Sequence, residues 1–191
     1  MSQARAGEAA FLAEAGAAEA RDRFETLAAH DFADIPRDEH WLVTLTILAQ
    51  ASAALPDVRR AATLYELLLP FAQRNIVHDL LRTYNGSVSL HLALLAHAMG
   101  KLDAAAGHFE DALVMNARIG GRPFLARTQT AYARMLLERG RAPDQRRATA
   151  LLDQAQACID ELGLVEVGTR AAELRKRLSD RPVAPRRPRT R

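Results

Sequence analysis

The sequence predicts an all-α protein: antiparallel helix hairpins stacked into a right-handed superhelix, or α-solenoid. Three observations lead to this fold class. The composition favours helix, because Ala, Leu, Arg and Glu dominate the 191 residues while only 5% are aromatic. One helical pattern of apolar residues recurs at a nearly constant spacing. Gly or Pro stands between successive helices and separates them.

The recurring helix has a small residue, a bulky apolar residue four positions later and an apolar residue three positions after that. Steps of four and three place these side chains on one face of a helix. The period is 41 to 44 residues, with the small residues at Ala20, Ala61, Ala105 and Ala148. An Ala-rich helical bundle gives single matches of this kind by chance, but the even spacing favours a true repeat.

A second apolar helix precedes each of the last three of these segments, and a helix-breaking residue lies between the two. These helices run from Trp41 to Ala54 before Pro56, from Ser87 to Met99 before Gly100, and from Pro123 to Arg139 before Gly140. A single hairpin of this kind cannot bury its apolar face alone. Stacked copies bury it against each other.

The predicted domain organisation is one helical domain followed by a tail. The domain covers residues 1–179, and residues 180–191 form a disordered tail rich in Arg and Pro. The helical units span residues 3–30, 40–74, 85–118 and 123–162, with a final helix over 165–179.

Charge, cysteine content and hydropathy set the broad class. The net charge of +3 arises from the tail, where residues 181–191 contain five arginines and no acidic residue. The single cysteine, Cys158, excludes an internal disulfide framework and fits a reducing compartment. No segment approaches the roughly 18 apolar residues of a membrane helix. We therefore expect a cytoplasmic protein without a membrane partner.

The third unit carries a family resemblance. Residues 94–120, LLAHAMGKLDAAAGHFEDALVMNARIG, closely resemble a tetratricopeptide repeat. Gly100 ends the first helix, Ala105 is the small residue where the helices cross, and Phe109, Ala112 and Leu113 fill the second helix. The period exceeds the roughly 34 residues of the standard repeat. Helices about one turn longer would account for the difference.

Three longer segments, 41–75, 108–140 and 146–163, resemble the repeat region of bacterial AAA/STAND signalling ATPases. These include ATPases fused to adenylate or guanylate cyclase domains and LuxR-type regulators. The resemblance implies a non-catalytic protein–protein interaction or regulatory scaffold module in bacterial signal transduction or transcription regulation. The chain lacks the G-x-x-x-x-G-K-[ST] phosphate loop, a cyclase domain and a helix-turn-helix. It is thus expected to be the repeat portion alone, as a fragment or a stand-alone relative.

In this repeat family the first helix of each unit lines a concave groove. The residues that the resemblance places there are Val43, Thr46, Gln50, Ser87, Leu90, Leu94, His97, Arg127, Thr130 and Arg134. The set is apolar in the middle with two arginines at one end, which suits a helix or extended peptide with acidic residues. The alternative is that this face packs against a neighbouring domain of the same signalling system.

Catalytic, metal-binding and cofactor-binding sets are not predicted. The six histidines include no pair at i and i+4 with a supporting carboxylate, so they are expected in the groove or at the solvent surface. Cys158 has no neighbouring base and is expected to be a buried structural thiol. The protein is therefore not expected to be an enzyme.

The two ends of the chain leave further interpretations open. The arginine-rich tail predicts either a linker or, as an alternative function, a regulator that contacts nucleic acid. The short, Ala-rich first unit suggests an array that is cut without a capping helix. An uncapped end exposes apolar surface and favours homo-oligomer formation.

Overall fold

The computed structural model describes residues 6–7, 20–55, 57–78 and 83–180, and this part of the chain is mostly helical, as predicted. The α-helices are α1 (Ala20–Ala28), α2 (Trp41–Ala54), α3 (Val58–Leu68), α4 (Val88–Ala98), α5 (Leu102–Arg118), α6 (Arg122–Arg139), α7 (Asp144–Leu162) and α8 (Val165–Ser179). Short 3-10 segments follow α1 (Ala29–Phe32) and α3 (Leu69–Phe71).

Helix ends coincide with the capping residues in the sequence. Gly140 ends α6 with φ of 69° and Gly163 ends α7 with φ of 62°, a backbone conformation that glycine adopts without steric cost. The Asp57 side chain accepts the Arg60 N–H at 3.0 Å and so caps the start of α3. Local signals of this kind separate the helices before any long-range contact is made.

Consecutive helices from α2 to α8 pack against each other along the chain. In addition, α4 packs on α2, α6 packs on α4, and α8 packs on α6. The four even-numbered helices therefore form a row, which we call the even-helix row. This row carries the site described below.

The alanines of the repeat lie where helices meet. Ala61, Ala105 and Ala148 are each 0% exposed, while the side chain of Ala20 lies outside the described residues. A methyl side chain lets two helix backbones approach closely and leaves space for bulky neighbours such as Phe109, which is also buried. The repeated small residue thus has a packing role in the structure.

The core consists of two buried clusters. The first extends from α1 to α4 and includes Phe24, Leu45 and Leu64. The second extends from α4 to α8 and includes Phe109 and Leu151. The partly buried Tyr65 packs against both clusters, so the interior is continuous along the helices.

The mostly helical fold agrees with the all-α prediction, and a small antiparallel β-hairpin that the repeat pattern does not predict lies between α3 and α4. Its strands are β1 (Asn75–His78) and β2 (Thr83–Ser87), and Val77 pairs with Tyr84. The β-branched pair Ile76–Val77 and the aromatic Tyr84 favour strand over helix. The long period also has two origins. Helices α5 to α7 have 17, 18 and 19 residues, but α3 and α4 have 11 each, and the hairpin supplies the remaining length.

A left-handed turn precedes α2. His30, Asp31 and Phe32 have φ of 51°, 54° and 68°, a region that costs non-glycine residues roughly 1–2 kcal/mol each. The turn directs Phe32 into the core, where its ring meets Phe24 edge to face at 5.9 Å. It also presents the Asp31 carboxylate to Arg60 of α3 at 2.9 Å. Both contacts favour the left-handed turn and oppose its backbone strain.

Candidate functional site

A groove of about 430 Å³ crosses the even-helix row, and all of its lining residues come from α2, α4, α6 and α8. The lining side chains are Gln50, Ala53 and Ala54 of α2, Leu90 and Leu94 of α4, Arg127, Thr130, Ala131 and Arg134 of α6, and Glu166, Val167, Arg170, Glu173, Leu174 and Arg177 of α8. On each helix they are mostly three or four positions apart, so each helix presents one face to the groove.

Most of the residues proposed from the sequence line this groove. These are Gln50, Leu90, Leu94, Arg127, Thr130 and Arg134. His97 lines an adjoining cavity of about 320 Å³, which shares Leu94 and Arg134 with the groove and also contains Glu138. The structure therefore brings residues from three predicted units to one continuous site.

Three residues of the predicted set lie elsewhere. Val43 is buried in the first core cluster, which also contains Phe32 and Ile35. Thr46 is 1% exposed, and its hydroxyl donates to the Val43 carbonyl at 2.8 Å. Ser87 is buried at the start of α4, where its Oγ accepts the Leu90 N–H at 3.3 Å. Helix packing and helix capping occupy these side chains.

The sequence analysis missed the contribution of α8. Glu166, Arg170, Glu173 and Arg177 recur every three or four residues and form a charged stripe that faces the groove. This spacing is visible in the sequence. The predicted groove includes no residue of the final helix, whereas the structure packs α8 on α6 as the next member of the row.

The charges of the groove do not balance. Four arginines line it (Arg127, Arg134, Arg170 and Arg177), against the two carboxylates Glu166 and Glu173. Glu166 is shared, because it lies 2.7 Å from Arg170 and 3.5 Å from Arg127. The groove therefore has a surplus of positive charge and favours an acidic ligand.

Arg134 has hydrogen-bonding capacity that no described residue uses. Its closest carboxylate contact joins Nε to Glu138 Oε1 at 3.9 Å, too long for a hydrogen bond. The Nε atom is buried and has no hydrogen-bond partner in the part of the chain that the structure describes. Burial lowers the pKa of Arg134, and the charges of Arg170 and Arg177 lower it further, while Glu138 raises it. Arginine stays protonated at physiological pH, so Arg134 is a partly buried cation that an anion in the groove would stabilise.

Thr130 lies next to Arg134 in the groove and also has an unused hydrogen-bond donor. It is 4% exposed, and its buried Oγ1 has no hydrogen-bond partner among the described residues. Four positions separate the two residues on α6, so they occupy successive turns of one helix face. Two unsatisfied donors therefore lie side by side on the wall of the groove.

The adjoining cavity contains a close histidine–carboxylate pair. His97 Nε2 lies 2.6 Å from Glu138 Oε2. Burial lowers the pKa of His97, opposed by the hydrogen bond and charge of Glu138. A neutral imidazole that donates to Glu138 satisfies this geometry. The pair also keeps Glu138 close to His97 rather than to Arg134.

Apolar side chains separate the charged groups. Leu90 and Leu94 of α4 lie beside Ala53 of α2, and Val167 and Leu174 of α8 complete the apolar part of the lining. A groove of this composition can hold a segment with apolar side chains along one face and acidic groups near α6 and α8.

Two expectations about reactive side chains need correction. His91 was expected in the groove or at the surface, but it is 1% exposed, and burial lowers its pKa to about 4. Cys158 was expected to be buried, but it is partly exposed, and its Sγ donates to the Arg122 carbonyl at 3.4 Å. His91 faces inward because α4 is apolar on nearly all sides and packs against α2, α3, α5 and α6.

Other sequence-based interpretations fall on residues that the structure does not describe. The arginine-rich tail from Arg181 onward lies outside the described residues, as does most of the first predicted unit. Between residues 20 and 180, as far as they are described, no group of three or more His, Cys, Asp or Glu side chains could hold a metal ion. The described helices include none that is both long and apolar enough to cross a membrane.

Comparison with known proteins finds no match. No protein-family model, no curated protein and no solved structure matches this chain.

Proposed function

We propose that this protein is a tetratricopeptide-like helical stack, a non-catalytic interaction module that holds a segment of a partner protein in the groove of the even-helix row. The observation that carries the proposal is that four helices distant in sequence each turn one face to the same groove. In a stack of hairpins the first helices share one side, where they form an extended binding surface.

The residues that line the groove indicate the chemistry of the partner segment. Leucine and alanine side chains supply apolar contacts, while the arginines of α6 and α8 supply a positive edge. An amphipathic segment with acidic residues beside its apolar face is complementary to both. This chemistry applies to a separate protein and equally to a neighbouring domain of one signalling system. The resemblance to bacterial signalling ATPases supports a regulatory role in the cytoplasm.

A selection with a displayed peptide library tests the proposal. The full chain should enrich peptides that combine leucine-type side chains at helical spacing with Asp or Glu. Their affinity, measured by fluorescence anisotropy, should fall at least about tenfold in Leu94→Glu, because this variant places a charge in the apolar part of the groove.

The matched control is Val114→Glu, which introduces the same residue at a 67% exposed position of α5 outside the groove. It should bind like the unmodified chain, and circular dichroism should show that both variants fold. Equal affinity of the two variants for the selected peptides, or a failure to enrich acidic amphipathic peptides, would exclude the groove as the docking site.

A further inference from the structure

Within the groove, the two partnerless polar atoms define a smaller site. Arg134 Nε and Thr130 Oγ1 are both buried, neither has a hydrogen-bond partner within the described ranges, and both belong to residues that line the groove. Unsatisfied buried polar atoms are uncommon in folded proteins and require an explanation. Two of them on successive turns of one helix face point to a ligand with several hydrogen-bond acceptors.

Two further arginines surround this pair. Arg170 and Arg177 of α8 line the same groove, and both are close enough for their charges to act on Arg134. Arg170 is already held by Glu166 at 2.7 Å. Arg177 makes no ion pair with an acidic side chain among the described residues. The free donors are therefore Arg134, Thr130 and Arg177.

The donors and the charge of the site favour a phosphoryl group. The four arginines and two glutamates of the groove leave a formal surplus of two positive charges, which Glu138 of the adjoining cavity, 3.9 Å from Arg134, reduces to one. A phosphoryl group carries about −1.5 to −2 near neutral pH and has three acceptor oxygens, whereas a carboxylate carries −1 and has two. The three free donors match the three phosphoryl oxygens, one more than a carboxylate offers.

From this geometry we propose that the docked segment is anchored by a phosphorylated side chain, whose phosphoryl oxygens accept hydrogen bonds from Arg134, Thr130 and Arg177. This inference rests on the proposed docking function and specifies its ligand chemistry. Docking then depends on phosphorylation of the partner, which makes the groove a reader of the partner's phosphorylation state.

Three matched peptides test the anchor: Leu-Ala-X-Ala-Leu with phosphoserine, glutamate or serine at X. Titrations of the full chain are followed through the arginine Nε–Hε signals in nitrogen–proton correlation spectra. The phosphoserine peptide should bind about tenfold more tightly than the glutamate peptide and should shift the Arg134 signal most. Inorganic phosphate should shift the same signal, more weakly.

Substitutions of the three proposed donors test which side chains bind the phosphoryl group. Arg134→Gln and Arg177→Gln should each reduce the preference for phosphoserine severalfold, and Thr130→Val should reduce it less because it removes a neutral donor. The matched control is Arg147→Gln, a partly exposed arginine outside the groove that pairs with Glu110 at 3.1 Å. It should leave the preference unchanged.

The pH provides an independent check. The second ionisation of a phosphoserine has a pKa near 6, so its advantage over glutamate should decrease between about pH 7.5 and 5. An advantage that is unchanged at the lower pH would contradict binding of the dianion.

Each outcome separates this inference from the docking function. Equal binding of the phosphoserine and glutamate peptides at Arg134 would overturn the phosphoryl anchor and leave acidic docking in place. A phosphate-induced shift of Arg134 with no peptide binding would support an anion site and contradict peptide docking. The absence of any shift at the groove arginines would reject the anchor.

Discussion

At the scale of single residues, the buried Asn116 of α5 forms hydrogen bonds with three groups outside the groove. Its Oδ1 accepts the Tyr84 hydroxyl and the Ser87 N–H, the latter at 3.1 Å, and its Nδ2 donates to Thr128 Oγ1 at 2.9 Å. A single amide thus ties the β-hairpin to the start of α4 and to α6. Burial also raises the pKa of Tyr84 to about 12, which keeps the hydroxyl a donor.

Replacement of Asn116 by Ala should lower the free energy of unfolding by about 1–3 kcal/mol, because the buried Ser87 N–H loses its acceptor and the Tyr84 hydroxyl keeps only Asn75 Oδ1, at 3.2 Å. Urea denaturation followed by circular dichroism measures the change. Gln145→Ala, at an exposed position of α7, is the control and should alter stability by less than about 0.5 kcal/mol. A similar small effect of Asn116→Ala would show that the network adds little.

His91 has a predictable effect on the pH dependence of stability. The buried imidazole has a pKa of about 4 in the folded chain, below its ordinary value of 6.5. Arg127 contributes to this shift, and the Asn85 carbonyl, 3.4 Å from Nε2, opposes it. Because the unfolded chain binds the proton more readily, stability is complete above pH 6.5 and is lost as the pH falls toward 4.

Between pH 7 and pH 5, His91 should therefore reduce the free energy of unfolding by about 2 kcal/mol. Urea denaturation at both pH values measures the total loss, and His91→Gln should remove this contribution. His30→Gln is the control, because that exposed imidazole pairs with Asp34 and its pKa is raised, which gives the opposite sign. An unchanged pH dependence in His91→Gln would contradict the burial of an ionisable group.

At the scale of the element, two glycines separate the effect of backbone conformation from that of packing. Gly100 lies between α4 and α5 with φ of +72°, whereas Gly107 lies inside α5. A Cβ atom at either position meets nothing within 4 Å. Any difference between their alanine variants therefore comes from the backbone alone.

Gly100→Ala should destabilise the protein by about 1 kcal/mol, because alanine adopts positive φ only with strain. Gly107→Ala should stabilise it by about 0.5–1 kcal/mol, because alanine is the better helix former. Thermal unfolding of both variants measures the two shifts in Tm. Shifts of the same sign would show that the boundary between α4 and α5 is incorrectly placed.

The β-hairpin is the element that the periodicity did not predict. Its Gly86 has φ of +88°, and a Cβ atom there would lie 2.8 Å from Phe124 Cδ1. Tyr84 also meets the Phe124 ring edge to face at 5.3 Å. Close packing on α6 holds the two short strands, which are marginal by themselves. In the prediction from the sequence, residues 75–84 are only the connection between two helical units.

At the scale of the whole molecule, we expect the protection of backbone amides against hydrogen exchange to differ along the row of helices. Helix α6 packs against α4, α5, α7 and α8, whereas α1 packs mainly on α2 and the turn that follows α1. A backbone amide that becomes exposed only when several helix interfaces open exchanges its hydrogen more slowly than an amide that is protected by a single interface.

In hydrogen exchange of the full chain, amides in α6 and α7 should exchange at least about tenfold more slowly than those in α1. Mass spectrometry of proteolytic fragments resolves the helices. The segment 102–118 is an internal reference, since α5 has fewer neighbouring helices than α6 and more than α1. Equal protection across α1 to α7 would indicate one cooperative unit instead of graded interfaces.

Local patterns in the sequence determined which segments are helical, where most helices end and which alanines are buried. Ala105 is an example, because its spacing to Phe109 and Ala112 defines an apolar face without reference to distant residues. The tertiary structure decided which faces are covered. Thr46 and Gln50 lie on one stripe of α2, yet Thr46 is buried and Gln50 lines the groove. The role of α8 depends likewise on its packing against α6. The periodicity of the sequence indicates the polarity of a helix face. Which chain segment covers that face is determined only by contacts between residues that are far apart in sequence.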